Sequence, residues 1–298
     1  MKYNACIQIL SSRQECLKRC LLSIHQKYNY RYNYPVYVHY FDDIYDSEKY
    51  RSYVHENISA NIYFVPVLYR TPKHIVESDL FYNKNLWYAK TRFSIRRKGY
   101  LHMCHFINNM YKYPGTRLHE YDYIMVYDDE AGYEKELPYD PVEILSKRSE
   151  DMGALIVGQR LKDGKPHQGH LDTRVGLWEF TKKFLLENGI EPKSQLLKNL
   201  MIDENAEKNF HYLPWADTYV IKTKMFEIDL WKKWITAVNE NGGVYKYRWG
   251  DNEIMSIFYL IYDDKLIYNF KAVEEGYYNQ GMFRETDVIA PNVKNVNI

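Results

Sequence analysis

Short apolar and aromatic runs alternate along the chain with segments of helical periodicity. The run ACIQIL at residues 5–10 is compact and apolar, which is typical of a buried strand. Runs rich in β-branched and aromatic residues predict further strands at residues 34–41, 60–69, 121–127 and 153–160.

Helical segments separate these strands. In residues 11–28 the apolar side chains recur three and four positions apart, and Ser11 or Ser12 is placed to cap the helix. Residues 219–228 read as a strand and turn, and residues 265–270 as a late strand. The helical periodicity predicts further helices at residues 100–113, 141–148, 177–189, 229–243 and from about 251 onward.

The βαβαβ order at the start of the chain predicts the α/β class, with an open, mainly parallel sheet flanked by helices on both faces. No internal repeat, low-complexity tract or linker divides the sequence, so we expect a single domain over residues 1–298. Sheets of this kind bind ligands at the carboxyl ends of their strands.

Composition excludes several classes of partner. The formal net charge is +1 at pH 7, so no overall field favours nucleic acid or an anionic membrane. No segment approaches the roughly 20 consecutive apolar residues of a transmembrane helix. The cysteines form no CxxC pair, which argues against a zinc site, and we expect all of them to be reduced core residues. They are Cys6, Cys16, Cys20 and Cys104.

Three consecutive acids follow the strand predicted at 121–127. Residues i and i+2 of an extended segment point the same way, so Asp128 and Glu130 can face one cation while Asp129 points elsewhere, for example to a sugar hydroxyl. Carboxylates suit Mg²⁺ or Mn²⁺, which usually share a site with substrate phosphates. The alternative is a solvated acidic loop.

Five segments of the chain resemble the fungal Golgi α-1,2-mannosyltransferase family, and they occur in the same order. The most specific is GGVYKYRWGDNEIMSI, with its RWGD element after a Gly-Gly pair. The segments are NYPVYVHYFDD (33–43), GYLHMCHF (99–106), YDYIMVYDDE (121–130), GLWEFTKKF (176–184) and GGVYKYRWGDNEIMSI (242–257).

This resemblance implies a GT-A fold, with a nucleotide-binding half at about residues 1–130 and an acceptor-binding half at about 131–298. It implies transfer of mannose from GDP-mannose to a glycan acceptor, with Mn²⁺ or Mg²⁺ and with retention of anomeric configuration. Family members carry an N-terminal membrane anchor that this sequence lacks. We therefore expect a soluble, cytoplasmic enzyme or, alternatively, a lumenal Golgi domain without its anchor.

The sequence departs from the family at the metal site. Asp128–Asp129–Glu130 stands where the family has Glu-Pro-Asn, which is closer to the general DxD motif of GT-A enzymes. The family's late segment with a histidine ligand is matched by EGYYNQ (275–280), and no histidine follows His211. That ligand is either replaced by Tyr278, Asn279, Gln280 or water, or it is absent.

A second departure concerns the nucleophile. The family's candidate nucleophilic glutamate aligns with Tyr219, and Asp217 lies two residues earlier, on the same face if the segment is a strand. Retention can proceed through a covalent intermediate on a carboxylate, or on one face of the sugar with the leaving diphosphate taking the acceptor's proton. We favour the second route, since a tyrosine nucleophile is rare.

Other candidate residues flank the strand ends or match family positions. Ser12 and Arg13 follow the first strand, where GT-A folds contact the nucleotide. Asp42 and Asp43 follow the second strand and are candidates for contact with the base or ribose.

The remaining candidate site residues lie in the acceptor half and in the helix predicted at 100–113. Asp251 is a candidate sugar contact or a helix N-cap. Arg248 is a candidate for holding a carboxylate or phosphate, and Tyr100 matches a family position near the active site. His102 and His105 have the spacing of a metal pair, although packing beside the donor site is the favoured interpretation.

Two rivals to this function remain. The first keeps the fold and uses another donor, such as a UDP-hexose. The second is a catalytically silent sugar-binding protein, against which the intact acid triplet argues.

Overall fold

The computed structural model describes residues 2–41, 48–58, 61–68, 72–75, 97–154, 161–162, 165–166, 174–204, 206, 218–263, 267–272 and 275–283. Asp42, Asp43 and Asp217 lie outside these ranges, as do parts of the strands predicted at 60–69 and 153–160.

The strands are β1 (Ala5–Leu10), β2 (Val36–Tyr40), β3 (Ile62–Pro66), β4 (Tyr123–Asp128), β5 (Gly132–Tyr133), β6 (Met152–Ala154), β7 (Leu161–Lys162), β8 (Lys165–Pro166), β9 (Tyr219–Lys222), β10 (Ile267–Asn269) and β11 (Tyr278–Asn279). The helices are α1 (Gln14–Lys27), α2 (Glu48–Asn57), α3 (Arg97–Asn109), α4 (Pro141–Ser146), α5 (Leu177–Glu187), α6 (Gln195–Met201), α7 (Asp229–Asn241), α8 (Gly243–Tyr247) and α9 (Asp251–Tyr262).

Within the described ranges, seven strands form one sheet in the order β10-β6-β9-β4-β1-β2-β3. β1 pairs in parallel with β2 and β4, and β2 pairs in parallel with β3. The chain therefore moves outward from β1 to β3 and then returns to add β4 on the other side of β1. That reversal is the topological switch point at which open α/β sheets bind ligands.

The two faces of the sheet carry separate apolar cores because alternate side chains of a strand point to opposite sides. On β1, Ile7 and Ile9 face one core together with Leu17 and Ile24 of α1. Cys6 faces the other core, which α3, α5, α7 and α9 cover. The prediction of a mainly parallel sheet with helices on both faces is confirmed.

Several details differ from the sequence predictions. β9 runs antiparallel to β4 and β6, which makes the sheet mixed. A short antiparallel pair, β5 with β11, was not predicted, because two-residue strands leave no periodicity to detect. The N-cap of α1 is Arg13. The prediction that Ser11 or Ser12 caps this helix is therefore wrong.

All four cysteines are buried and none forms a disulfide, as predicted. Among the described residues, no helix has the length and apolar character needed to cross a membrane.

Candidate active site at the ends of β1 and β4

The carboxyl ends of β1 and β4 lie side by side at the switch point. Leu10 and Asp128, the last residues of these strands, are register partners. The loop that leads into α1 and the acid turn after β4, residues 128–130, therefore face each other. The predicted rim location of the acids is confirmed by this pairing.

Arg13 ties the acid turn to the end of β1. Its Nη1 donates to Glu130 Oε2 at 2.7 Å, its Nε donates to Asp129 Oδ2 at 3.3 Å, and its Nη2 also bonds Asp129. The Ser11 hydroxyl donates to Asp129 Oδ2 at 2.5 Å. Asp129 is 3% exposed and Glu130 is 8% exposed, so both are desolvated and need this compensation.

The positive charge of the Arg13 guanidinium offsets the repulsion among the acidic side chains. Burial alone would lower the pKa of Arg13, but the charges and hydrogen bonds of Asp129 and Glu130 outweigh it and raise that pKa. One cation thus pairs with two of the three adjacent carboxylates and reduces their mutual repulsion. Arg13, predicted as a donor contact, is placed to hold the acid turn in position, while the neighbouring Ser12 is exposed.

The geometric premise for pairing Asp128 with Glu130 is wrong. β4 ends at Asp128, and residues 129 and 130 form a turn, so the alternation of an extended segment stops there. Asp129 and Glu130 both reach Arg13, whereas Asp128 is exposed. A metal role for Asp128 and Glu130 stays a prediction, and Asp128 is the solvent-facing carboxylate of the three.

Asp128 instead contacts the segment that follows β11. Gln280 Nε2 donates to Asp128 Oδ2 at 2.6 Å. The backbone N–H of Phe283 donates to the carbonyl oxygen of Glu130 at 2.9 Å, which fastens this segment across the acid turn. Among the replacements that the sequence left open for the missing histidine, Gln280 contacts Asp128, a predicted metal ligand. Asn279 points away and donates to Glu134 at 2.8 Å.

A divalent cation fits this site in part. Mg²⁺ and Mn²⁺ are commonly held by one or two carboxylates together with substrate phosphates, and an exposed Asp128 beside a Gln280 amide meets that description. No cluster of three or more His, Cys, Asp or Glu side chains within the described ranges is arranged to hold a metal. The donor's phosphates would therefore have to complete the coordination.

Tyr219, a predicted nucleophile candidate, is buried in the core on the face covered by α3 and α9. It is the register partner of Val126, in the interior of β4. This position gives no support to a nucleophilic hydroxyl.

A second group of predicted residues meets where α3 packs on α9. The guanidinium carbon of Arg248 lies 4.0 Å from the centre of the Tyr100 ring, a cation–π contact. The Cys104 thiol donates to Asp251 Oδ1 at 3.4 Å. Burial raises the pKa of Cys104, so the thiol keeps the proton that it donates. Asp251 is the first residue of α9 and Gly250 is the N-cap, so the predicted capping role is wrong.

The RWGD motif has a clear packing role. A Cβ at Gly243 would lie 2.2 Å from the Trp249 ring, so only glycine leaves room for that indole. The indole N–H donates to the carbonyl oxygen of Val175 at 2.7 Å. Gly242 has a φ of 73° and ends α7, which is why the helix predicted at 229–243 stops at Asn241.

The histidine pair on α3 is part of the core. The rings of His102 and His105 each lie 5.5 Å from the ring of Tyr245. Burial lowers the pKa of His105 to about 4, so it stays neutral at physiological pH. The favoured interpretation, packing rather than metal binding, agrees with these contacts.

Known proteins match this chain over most of its length. The sequence model of the family described as glycolipid 2-alpha-mannosyltransferase matches residues 1–291. The O-glycoside alpha-1,2-mannosyltransferase omh1 of Schizosaccharomyces pombe is 21% identical over 292 residues, covering 94% of this chain and 70% of that protein. The protein named O-glycoside alpha-1,2-mannosyltransferase homolog 5, from the same organism, is 21% identical over 293 residues, covering 86% of this chain and 65% of that protein.

Two solved structures share the fold. Core-mannan synthase A (CmsA/Ktr4) from Aspergillus fumigatus, in its Mn/GDP form, matches with a TM-score of 0.72 and 19% identity, over 93% of this chain and 74% of that one. The mannosyltransferase Ktr4p from S. cerevisiae, in complex with GDP, matches with a TM-score of 0.72 and 17% identity, over 93% of this chain and 71% of that one. The architecture is that of GT-A glycosyltransferases.

Proposed function

Because this chain belongs to the glycolipid 2-alpha-mannosyltransferase family, and is thus a glycosyltransferase, we propose that it transfers mannose from GDP-mannose to a glycan acceptor with retention of configuration. The observation that carries this proposal is the exposed Asp128 at the switch point, beside the end of β1. The GDP bound by the related structures supports the choice of donor.

In this proposal the residues of the acid turn divide the work. Asp128 binds the cation that accompanies the donor diphosphate, and Arg13 holds Asp129 and Glu130 so that the turn presents Asp128 outward. The cation, when bound, stabilises the negative charge of the departing diphosphate. The Mn/GDP form of the Aspergillus relative supports a divalent cation in this role.

The donor is tested by thermal stability. GDP with Mn²⁺ is expected to stabilise the protein, and UDP with Mn²⁺ is not; a ligand at 100 times its dissociation constant adds about 2.7 kcal/mol. Melting temperatures measured with each nucleotide, each with and without Mn²⁺, decide between them. Stabilisation by UDP alone would replace the mannosyl donor with a UDP-hexose, and stabilisation by neither nucleotide would favour a silent sugar-binding protein.

Asp217 is proposed to stabilise or orient the sugar rather than to form a covalent bond to it. On that one-face route Asp217→Asn should lower kcat by about 10–100-fold, since each factor of ten corresponds to about 1.4 kcal/mol. Mass spectrometry of the enzyme quenched during turnover should find no glycosylated peptide containing Asp217 or Tyr219. A trapped sugar on either side chain would instead establish the covalent route.

A further inference from the structure

A short chain of hydrogen bonds joins Asp128 to the start of β9 through Gln280. While Gln280 Nε2 donates to Asp128, Gln280 Oε1 accepts from the Tyr278 hydroxyl at 2.8 Å and from the Thr218 hydroxyl at 3.0 Å. The two hydroxyls also contact each other. Both Tyr278 and Thr218 are buried, so this pair of hydroxyls is a fixed feature of the site.

The chemistry of the partners determines which way the amide faces. An ionised carboxylate only accepts hydrogen bonds, so the NH₂ group of Gln280 must face Asp128 when no cation is present. The hydroxyls of Thr218 and Tyr278 can each donate or accept. They therefore satisfy the amide oxygen in the observed arrangement, and they would equally satisfy the NH₂ group if the amide turned over.

The backbone around Gln280 is held, so the amide is the part that can turn. Tyr278 and Asn279 pair with Gly132 and Tyr133 in the β5–β11 ladder. The N–H of Phe283 bonds the Glu130 carbonyl, and the Cys16 thiol donates to the Phe283 carbonyl oxygen at 3.3 Å. Rotation about the last side-chain torsion of Gln280 exchanges its oxygen and nitrogen without moving this backbone.

We propose that Gln280 is an amide switch that sets how tightly Asp128 binds a divalent cation. Without the cation its NH₂ group holds Asp128, and with the cation its oxygen turns toward the ion while its NH₂ group donates to Thr218 and Tyr278. Glutamine side-chain carbonyl oxygens are among the oxygen ligands that bind hard cations in proteins. This inference rests on the proposed function, in which a cation accompanies the donor, and it assigns to Gln280 the role of a ligand beside Asp128 at that site.

Gln280→Glu tests the switch because a carboxylate presents only oxygen toward Asp128. The two hydroxyls can still donate to its other oxygen, whereas two carboxylates now face each other without a cation. We expect the melting temperature in EDTA to fall and the affinity for Mn²⁺ to rise at least about tenfold, because the charge count of the ligands tunes cation affinity. Titration of the free Mn²⁺ electron paramagnetic resonance signal, with and without GDP, measures that affinity.

Asn279→Asp is the matched control. It adds the same charge one residue away, on a side chain that faces Glu134 instead of Asp128, and it should leave Mn²⁺ affinity within about twofold, as expected for an exposed charge screened by solvent. Gln280→Met keeps the length and removes both polar atoms, and it should weaken Mn²⁺ binding. If Gln280→Glu fails to fold, the comparison of Gln280→Met with wild type still tests the proposal.

The outcomes separate this inference from the proposed function. Mn²⁺ affinity in Gln280→Glu that is no higher than in wild type would overturn the switch, and so would unchanged affinity in Gln280→Met. If GDP stabilises the wild-type protein in either case, the proposed donor stands while the switch fails. If neither the wild type nor Gln280→Glu binds Mn²⁺ in the presence of GDP, the switch and the metal dependence fail together.

Discussion

Replacing Asp128 with asparagine should reduce transfer by at least about 1,000-fold, since a cation's charge stabilisation is worth several kcal/mol and each 1.4 kcal/mol is about tenfold. The substitution keeps the size and one oxygen of the side chain but removes its charge. The fold should be retained, because Asp128 is exposed and lies at the end of β4. Steady-state kinetics in saturating Mn²⁺, with circular dichroism to verify folding, measure both effects.

Asp122→Asn is the control for this experiment. Asp122 is exposed and immediately precedes β4, so it lies at the amino end of the strand that Asp128 ends. Its substitution should leave kcat/KM unchanged. Full activity of Asp128→Asn, or of the wild type in EDTA, would contradict the assignment of Asp128.

Replacing Arg13 with methionine should have the largest effect on stability among these substitutions. It leaves two carboxylates, Asp129 and Glu130, buried without their cation, and removing one partner of a buried ion pair typically costs 3–5 kcal/mol. The Arg13 side chain is 33% exposed, so solvent screens part of this loss, and we expect about 3 kcal/mol at the lower end of that range. Urea denaturation at neutral pH gives the free energy of unfolding.

Arg117→Met supplies the comparison. Arg117 pairs with Glu120 on the surface, where the two side chains are 61% and 41% exposed, and such pairs contribute less than about 1 kcal/mol. Adding Asp129→Asn to Arg13→Met should recover part of the lost stability, because one of the uncompensated charges is then gone. Equal, small losses in Arg13→Met and Arg117→Met would show that the Arg13 pairing does not hold the acid turn.

The architecture could be predicted from the sequence because the patterns that mark strands and helices are local and recur along the chain. Alternating periodicities marked the strands and helices, and the position of the acids after a strand was sufficient to place them at the sheet's rim. The direction of β9 was not predictable in the same way, since a buried four-residue strand has the same sequence pattern in either orientation. Its antiparallel pairing with β4 depends on contacts across the whole domain.

The candidate site was predictable only in outline. The pairing of Arg13 with Asp129 joins residues 116 positions apart, and nothing in the local pattern of either segment indicates the other. Treating the acids as an extended run failed because the strand ends at Asp128 and a turn redirects the next two side chains. Gln280 was visible as a departure from the family, but its bond to Asp128 spans 152 positions and required the fold.

Analysis of the reaction product is the decisive test of mannosyl transfer from GDP-mannose with retention. The protein is incubated with GDP-mannose, Mn²⁺ and an α-mannoside acceptor, and the product's anomeric configuration is determined by ¹H NMR. We expect a new mannosyl linkage with the α configuration of the donor, and none when EDTA replaces Mn²⁺. A β-linked product would contradict retention, and transfer from a UDP-hexose with no product from GDP-mannose would contradict the proposed donor.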